Sequence, residues 1–201
     1  MDPLSSMEVI TAGDGWRHDP MLDMRETKGA HCSVVIGSWL CTIGGFVGGE
    51  SSSNVSSLVE ALDTTDASPS WITKASMSQK RSSHACHGGV FDGQEGIFVA
   101  GGSDEAEEPL ASAEFYNPAK DIWQEIGSLI SVRTLFSMTM LGSDLIVSGG
   151  FDEADDRPTN GRTSVETWNG SRWVELDENK LDGWRGAHAA VSVKAGVLSC
   201  I

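Results

Sequence analysis

Basic residues are scarce in this chain. Fourteen Lys and Arg stand against 29 Asp and Glu, for a formal net charge of −15 at pH 7. Nucleic-acid binding takes its affinity from clustered cations on phosphate, so no nucleic-acid partner is expected, and no anionic membrane surface either. No apolar run approaches the ~20 residues that cross a bilayer. No signal peptide is read in the opening residues, which lack an apolar core segment. The four cysteines, Cys32, Cys41, Cys86 and Cys200, match no C-x-x-C zinc spacing. Free thiols in a reducing compartment, and a cytoplasmic location, are therefore expected. There is no G-x-S-x-G elbow, no P-loop and no G-x-G-x-x-G, so hydrolase and nucleotide-binding classes have no motif to rest on. The 3.6-residue apolar period of a long helix is also missing.

What is present is recurrence. A short apolar run ending in a glycine pair occurs as Leu40 to Gly44-Gly45, Ile97 to Gly101-Gly102 and Leu145 to Gly149-Gly150. Three copies about fifty residues apart mark a repeat array. Aligned on the glycines, other columns fall into place. His31 and Phe136 stand thirteen residues before their first glycine, and His84 stands in the same place with four extra residues between. His188 continues this column. A base lies three residues earlier (Lys28, Arg81, Arg133 and again Arg185), and an apolar residue four before that (Met24, Met77, Leu129, Leu181). Downstream come Val59-Glu60, Ala113-Glu114 and Val165-Glu166, then Trp71, Trp123 and Trp173. Trp16 ends a further, partial unit.

Each unit reads as four short strands. Residues 136–141 and 145–148 are apolar runs joined at Gly142-Ser143-Asp144, and 164–168 alternates before an Asn169-Gly170 hairpin turn. The apolar runs suit inner strands and the alternating ones outer strands. A glycine pair at a strand end permits positive φ and close backbone approach. The tryptophans are expected to wedge against the next blade, and each base to pair with its unit's glutamate or with loop carbonyls as a structural contact.

In these columns the chain resembles the kelch repeat. The segment from Ala113-Glu114-Phe115-Tyr116 to Trp123 is the nearest match, and the tyrosine column departs as Leu62 and Trp168. The resemblance implies an all-β fold of β-propeller blades, each of four antiparallel strands. It implies one repeat region over 1–201, with units at 17–71, 72–123 and 124–173 and partial units at 1–16 and 174–201. A shortened form of a longer propeller is expected, with open sheet edges that favour dimerisation or pairing with further blades. The first partial unit is also a candidate to complete a fourth blade with the last.

The resemblance implies protein–protein interaction through loop rims. Examples are the substrate-recognition part of a cullin-type ubiquitin-ligase adaptor and an actin-associated scaffold. No enzymatic activity, cofactor or metal is expected; the alternatives are a metal-dependent propeller enzyme of galactose-oxidase type and a shortened propeller without independent function. The candidate binding residues are the acids after the glycine pairs: Asp104, Glu105, Glu107 and Glu108 in one loop, Asp152, Glu153, Asp155 and Asp156 in the next. Occupying one column, they are expected on one rim, facing a basic partner segment. The equivalent first loop holds only Glu50. A metal site at His84 and His87 is disfavoured because positions three apart in a strand face opposite ways.

Overall fold

The computed structural model describes residues 6–11, 15–48, 54–152, 161–190 and 192. Three four-stranded antiparallel sheets dominate it. The first joins β4 (Cys32–Ile36), β5 (Trp39–Ile43), β7 (Val59–Asp63) and β8 (Ile72–Lys74) in that order. The second joins β9 (Ala85–Phe91), β10 (Gln94–Ala100), β11 (Ala113–Asn117) and β12 (Ile122–Ile126). The third joins β13 (Ser137–Leu141), β14 (Asp144–Ser148), β15 (Val165–Trp168) and β16 (Trp173–Glu175). Two small pairs accompany them: β1 (Glu8–Thr11) with β2 (Gly15–His18), and β3 (Lys28–Gly29) with β6 (Phe46–Val47). Strands β4, β9 and β13 meet from sheet to sheet, so they are the inner strands of successive propeller blades.

The four extra residues of the middle unit become a longer hairpin. β9 and β10 have seven residues each where β4, β5, β13 and β14 have five. The addition is two residues per strand, which leaves the face of every side chain unchanged. Phe91, in this extension, packs on Phe98, Phe115 and Trp168.

Burial differs from the sequence expectation. The alternating run at 164–168 forms β15, a middle strand of its sheet. Its counterparts β7 and β11 are almost wholly buried, whereas the inner strands β4 and β13 are buried only in part. Blades stack face to face, and the two core clusters lie between successive sheets, drawing chiefly on their middle strands. Along β10, Ile97 and Val99 join the core against the first blade, and Phe98 and Ala100 the core against the third. Period-two side-chain alternation thus serves two interfaces with one strand.

The glycine pair sits where two blades and a connector cross. Gly44, Gly101 and Gly149 have φ of +58°, +61° and +66°. A Cβ on them would lie 2.6, 2.6 and 2.5 Å from the carbonyls of Arg81, Arg133 and Arg185 in the following unit. It would also meet the rings of His84, Phe136 and His188. The second glycine of each pair donates its N–H to those same carbonyls: Gly45 to Arg81, Gly102 to Arg133 and Gly150 to Arg185. The histidine column is therefore a packing column in which a ring lies on a bare glycine backbone, and phenylalanine serves equally at 136.

A second blade-to-blade ladder has no counterpart in the sequence reading. Ser83 N–H donates to Ala30 O, Leu135 N–H to Ser83 O and Ala187 N–H to Leu135 O, at 2.8, 2.9 and 2.7 Å. All four residues have positive φ, from 49° to 53°. Three of them are neither glycine nor polar; the hydrogen bonds and flanking packing hold them in the left-handed region.

The tryptophans turn the other way from the expectation. Trp123 Nε1 donates to Ala75 O, and Trp71 Nε1 to Leu22 O, each just beyond the outer strand of the preceding unit. Trp173 joins the core between the second and third blades, and Trp123 flanks the one between the first and second. Each indole packs against the preceding blade because its strand presents that face. A further correction concerns the cysteines. Cys32 and Cys86 form a disulfide between inner strands β4 and β9, Cα–Cα 5.9 Å, rather than remaining free thiols. Cys41 is a buried thiol, pushed up to about 11 by desolvation. Cys200 lies outside the described residues.

Candidate interaction rim

Strand direction decides which loops share a face. Antiparallel order brings the segments after the glycine pairs and the connectors from outer strand to next inner strand to one rim; the tight hairpin turns lie on the other. The foundation of the glycine-side rim is a buried ion pair in each blade. Arg81 Nη2 donates to Glu114 Oε1 at 2.8 Å, and Arg133 Nη2 to Glu166 Oε1 at 2.8 Å; all four side chains are fully or almost fully buried. The guanidinium also holds the loop: Arg81 Nη1 donates to Gly101 O and Ser112 O, and Arg133 Nη1 to Gly149 O and Ser164 O. The glutamate holds the connector, accepting from Ser78 N–H and Gln79 N–H in one blade and from Ile130 N–H and Ser131 N–H in the next.

The first blade varies the theme. Lys28 Nζ lies 3.0 Å from Glu60 Oε2 and donates to Thr42 Oγ1 at 3.2 Å. Thr42 stands in the column of Val99 and Val147. An ammonium lacks the planar fork with which arginine reaches two carbonyls at once, and the threonine hydroxyl supplies an acceptor at that place.

These pairs and the histidine column are structural. Burial, then the charges of Arg81 and His31, depresses His84 to about 3; burial, then Lys28, lowers His31, and burial, then Arg185, lowers His188. A histidine with a depressed native pKa takes up a proton in the unfolded chain first, so its contribution to stability is lost as pH falls below about 6.5. Stability is expected to be about 2 kcal/mol lower at pH 5 than at pH 7 from His84 alone. His84→Phe, which copies position 136, is expected to flatten that slope in urea titrations at the two pH values. An unchanged slope would show that His84 does not carry it.

The acidic residues have distinct roles. Asp104 Oδ1 accepts from Ala106 N–H at 2.8 Å and Glu108 N–H at 3.0 Å, so this carboxylate shapes its own loop. Glu105 pairs with Lys80 at 2.6 Å, both about half exposed. Asp152 lies 3.5 Å from Arg162. Glu107 and Glu108 are exposed and, among the described residues, carry no ion pair. Glu153, Asp155 and Asp156 lie outside the described residues. Lys80 lies one residue before the arginine column, so its reach to the loop is recognisable only after alignment.

A shallow rim pocket of about 300 Å³ lies between the first two blades, lined by Asn54, Ser56, Ser57, Ser76, Lys80 and Glu105 among others. On the opposite rim a more apolar cleft of about 330 Å³ is lined by Ile36, Trp39, Cys41, Tyr116, Pro118 and Lys74 among others. Lys74 Nζ stands 4.8 Å from the centre of the Trp39 ring. Tyr116 donates to Asp121 Oδ1 at 2.6 Å; burial, then Asp121, raises this hydroxyl's pKa. Among the described residues no three His, Cys, Asp or Glu side chains are placed to hold a metal ion.

Comparison with known proteins agrees with this architecture. A family model described as Kelch motif matches residues 85–130. Spermatocyte protein spe-26 of Caenorhabditis elegans is 31% identical over 130 residues, covering 64% of this chain and 21% of that protein. The chain thus spans about a fifth of the length of that curated relative. The solved structure of YjhT superposes with a TM-score of 0.58 at 13% identity, over 79% of this chain and 53% of that one, a likeness of fold. Among the described residues no helix is long and apolar enough to cross a membrane.

Proposed function

The chain is a kelch-repeat protein, and from that premise we propose that it binds a protein partner through the rim beside its glycine pairs. Kelch repeats are in general protein-interaction modules. The observation that carries the reading for this chain is the loop at 103–109. Its backbone is fixed by Asp104 and by the Ser82–Ser103 and Ser103–Pro109 bridges, yet it presents Glu107 and Glu108 to solvent beside the Lys80–Glu105 pocket. A rigid loop loses little entropy on binding, and unpaired carboxylates favour a basic partner segment.

In this reading the module recognises substrates for a cullin-type ubiquitin-ligase adaptor or serves as an actin-associated scaffold. Either role asks only that the rim hold a polypeptide while another component acts. Glu107→Gln with Glu108→Gln is expected to weaken capture of the partner about tenfold and to flatten its salt dependence. Asp104→Asn should act differently, by loosening the loop. The measurement is a salt titration of affinity for partners recovered by the wild-type chain. Equal affinity and equal salt slope for the Glu107/Glu108 variant would overturn the acidic-rim reading.

A further inference from the structure

The interface between the first two blades is less well filled than the one between the second and third. Counted from the glycine pair and from the column glutamate, Cys41 and Ala61 stand where the second blade has Phe98 and Phe115. Phe98 and Phe115 pack with Phe91 and Trp168 in the core between the second and third blades. Cys41 and Ala61 belong to the core between the first and second, and both line the cleft of about 330 Å³ on the hairpin rim. Two small side chains in place of two rings bury less apolar area. The base of the first blade also holds less. Lys28 reaches Glu60 and Thr42, whereas Arg81 binds its glutamate and the carbonyls of Gly101 and Ser112 as well.

A covalent bond stands at this interface and not at the next. Cys32 pairs with Ile43, directly before Gly44, and Cys86 pairs with Val99, two residues before Gly101. The disulfide therefore ties the glycine-side ends of the inner strands β4 and β9. At the next interface the same two columns hold Ala85, paired with Ala100, and Met138, paired with Val147; both lie in the core there without a bond. Packing alone closes that blade step, so the cysteines are an addition peculiar to the first two blades. The loop that the bond closes, residues 32–86, contains the whole first sheet and its connector. On the same side of the blades lies the rim pocket, with Asn54, Ser56 and Ser57 from the first unit facing Lys80 and Glu105 from the second.

We propose that the Cys32–Cys86 disulfide is a redox-operated clasp. Oxidised, it locks the first blade to the second and fixes the rim pocket between them. Reduced, it lets the first blade loosen while the second and third stay joined by their aromatic core. Cys32 is partly exposed and Cys86 is buried, so an incoming thiolate such as that of glutathione meets Cys32 Sγ. The S–S bond breaks, Cys86 leaves as a thiolate, and Cys32 carries a mixed disulfide with glutathione. A second glutathione thiolate attacks that mixed disulfide and releases oxidised glutathione. The protons of the two glutathione thiols end on Cys32 and Cys86. In a reducing compartment a disulfide is usually of this transient, sensing kind.

Hydrogen exchange of the 201-residue chain, equilibrated with oxidised or with reduced glutathione, tests this. Peptide mapping of the oxidised chain should find Cys32 joined to Cys86. The amides of residues 40–43 and 59–63 are expected to exchange at least about tenfold faster in the reduced chain, and those of 145–148 and 165–168 to change by less than about twofold. Cys32→Ala combined with Cys86→Met copies the next interface and should exchange alike under both conditions. Were that pair to unfold the chain, Cys32→Ala alone, which removes the bond, should show the fast exchange of the reduced chain under both conditions. The readout involves no partner, so it is decided independently of what the rim binds. Free thiols at 32 and 86 in oxidised glutathione, equal exchange in the two states, or an acceleration spread evenly over all three blades would each overturn the clasp. So would a first blade that still responds to glutathione once Cys32 is gone.

Discussion

Arg81→Met is expected to destabilise the chain by about 3–5 kcal/mol, the range for breaking a buried ion pair by removing one partner. The reason lies in what remains. Glu114 is buried to 1% exposure and loses its counter-charge when the guanidinium goes. The carbonyls of Gly101 and Ser112 lose their donor at the same time. A neutral buried pair could be exchanged for apolar residues at little cost, but this one is not isolated. Glu114 also accepts from Ser78 N–H, Ser78 Oγ–H and Gln79 N–H. Arg81→Met combined with Glu114→Leu should therefore remain destabilised, because three donors of the connector are then left unmatched. Urea unfolding followed by tryptophan fluorescence measures both variants. A loss below about 1 kcal/mol for Arg81→Met would show that the pair does not organise the blade, and the same test at Arg133 should give the same answer.

Gly101→Ala is expected to cost at least about 3 kcal/mol, from left-handed backbone strain together with overpacking. The added methyl would stand 2.6 Å from Arg133 O and 2.7 Å from Phe136 Cε1. The carbonyl cannot withdraw without giving up its bond from Gly102 N–H at 2.8 Å, which joins two blades. Gly142→Ala is the control. Gly142 has a similar φ of +66° but nothing within 4 Å of its would-be Cβ. It should lose only the backbone term, about 1–2 kcal/mol. Equal losses at 101 and 142 would mean that the glycine pair is retained for conformation alone.

Several features of the candidate rim were legible in the sequence. The acids at 104–108 occur as a run after a glycine pair, and a polar run at that place is a surface loop for reasons of solvation. Their division of labour was not legible. Asp104 binds its own loop amides, Glu105 reaches Lys80, and Glu107 and Glu108 face solvent. The acids of this run differ because the short aspartate side chain reaches the N–H two residues on, whereas the longer glutamates extend away from the loop backbone.

The amino-acid sequence alone determined the repeat, the four-strand pattern, the glycine pairs and the column of bases and glutamates. Each is a short pattern recurring at a fixed interval, so its meaning is carried by local stereochemistry and repeated three times over. Tertiary structure alone decided what depends on one blade lying against another. It buried the alternating strands rather than the inner ones, because blades stack face to face. It turned the tryptophans towards the preceding blade. It brought Cys32 to Cys86 across 54 residues of chain. It held Ala30, Ser83, Leu135 and Ala187 at positive φ through hydrogen bonds between units. None of these follows from a local pattern, because each is fixed by an atom some fifty residues away in the sequence.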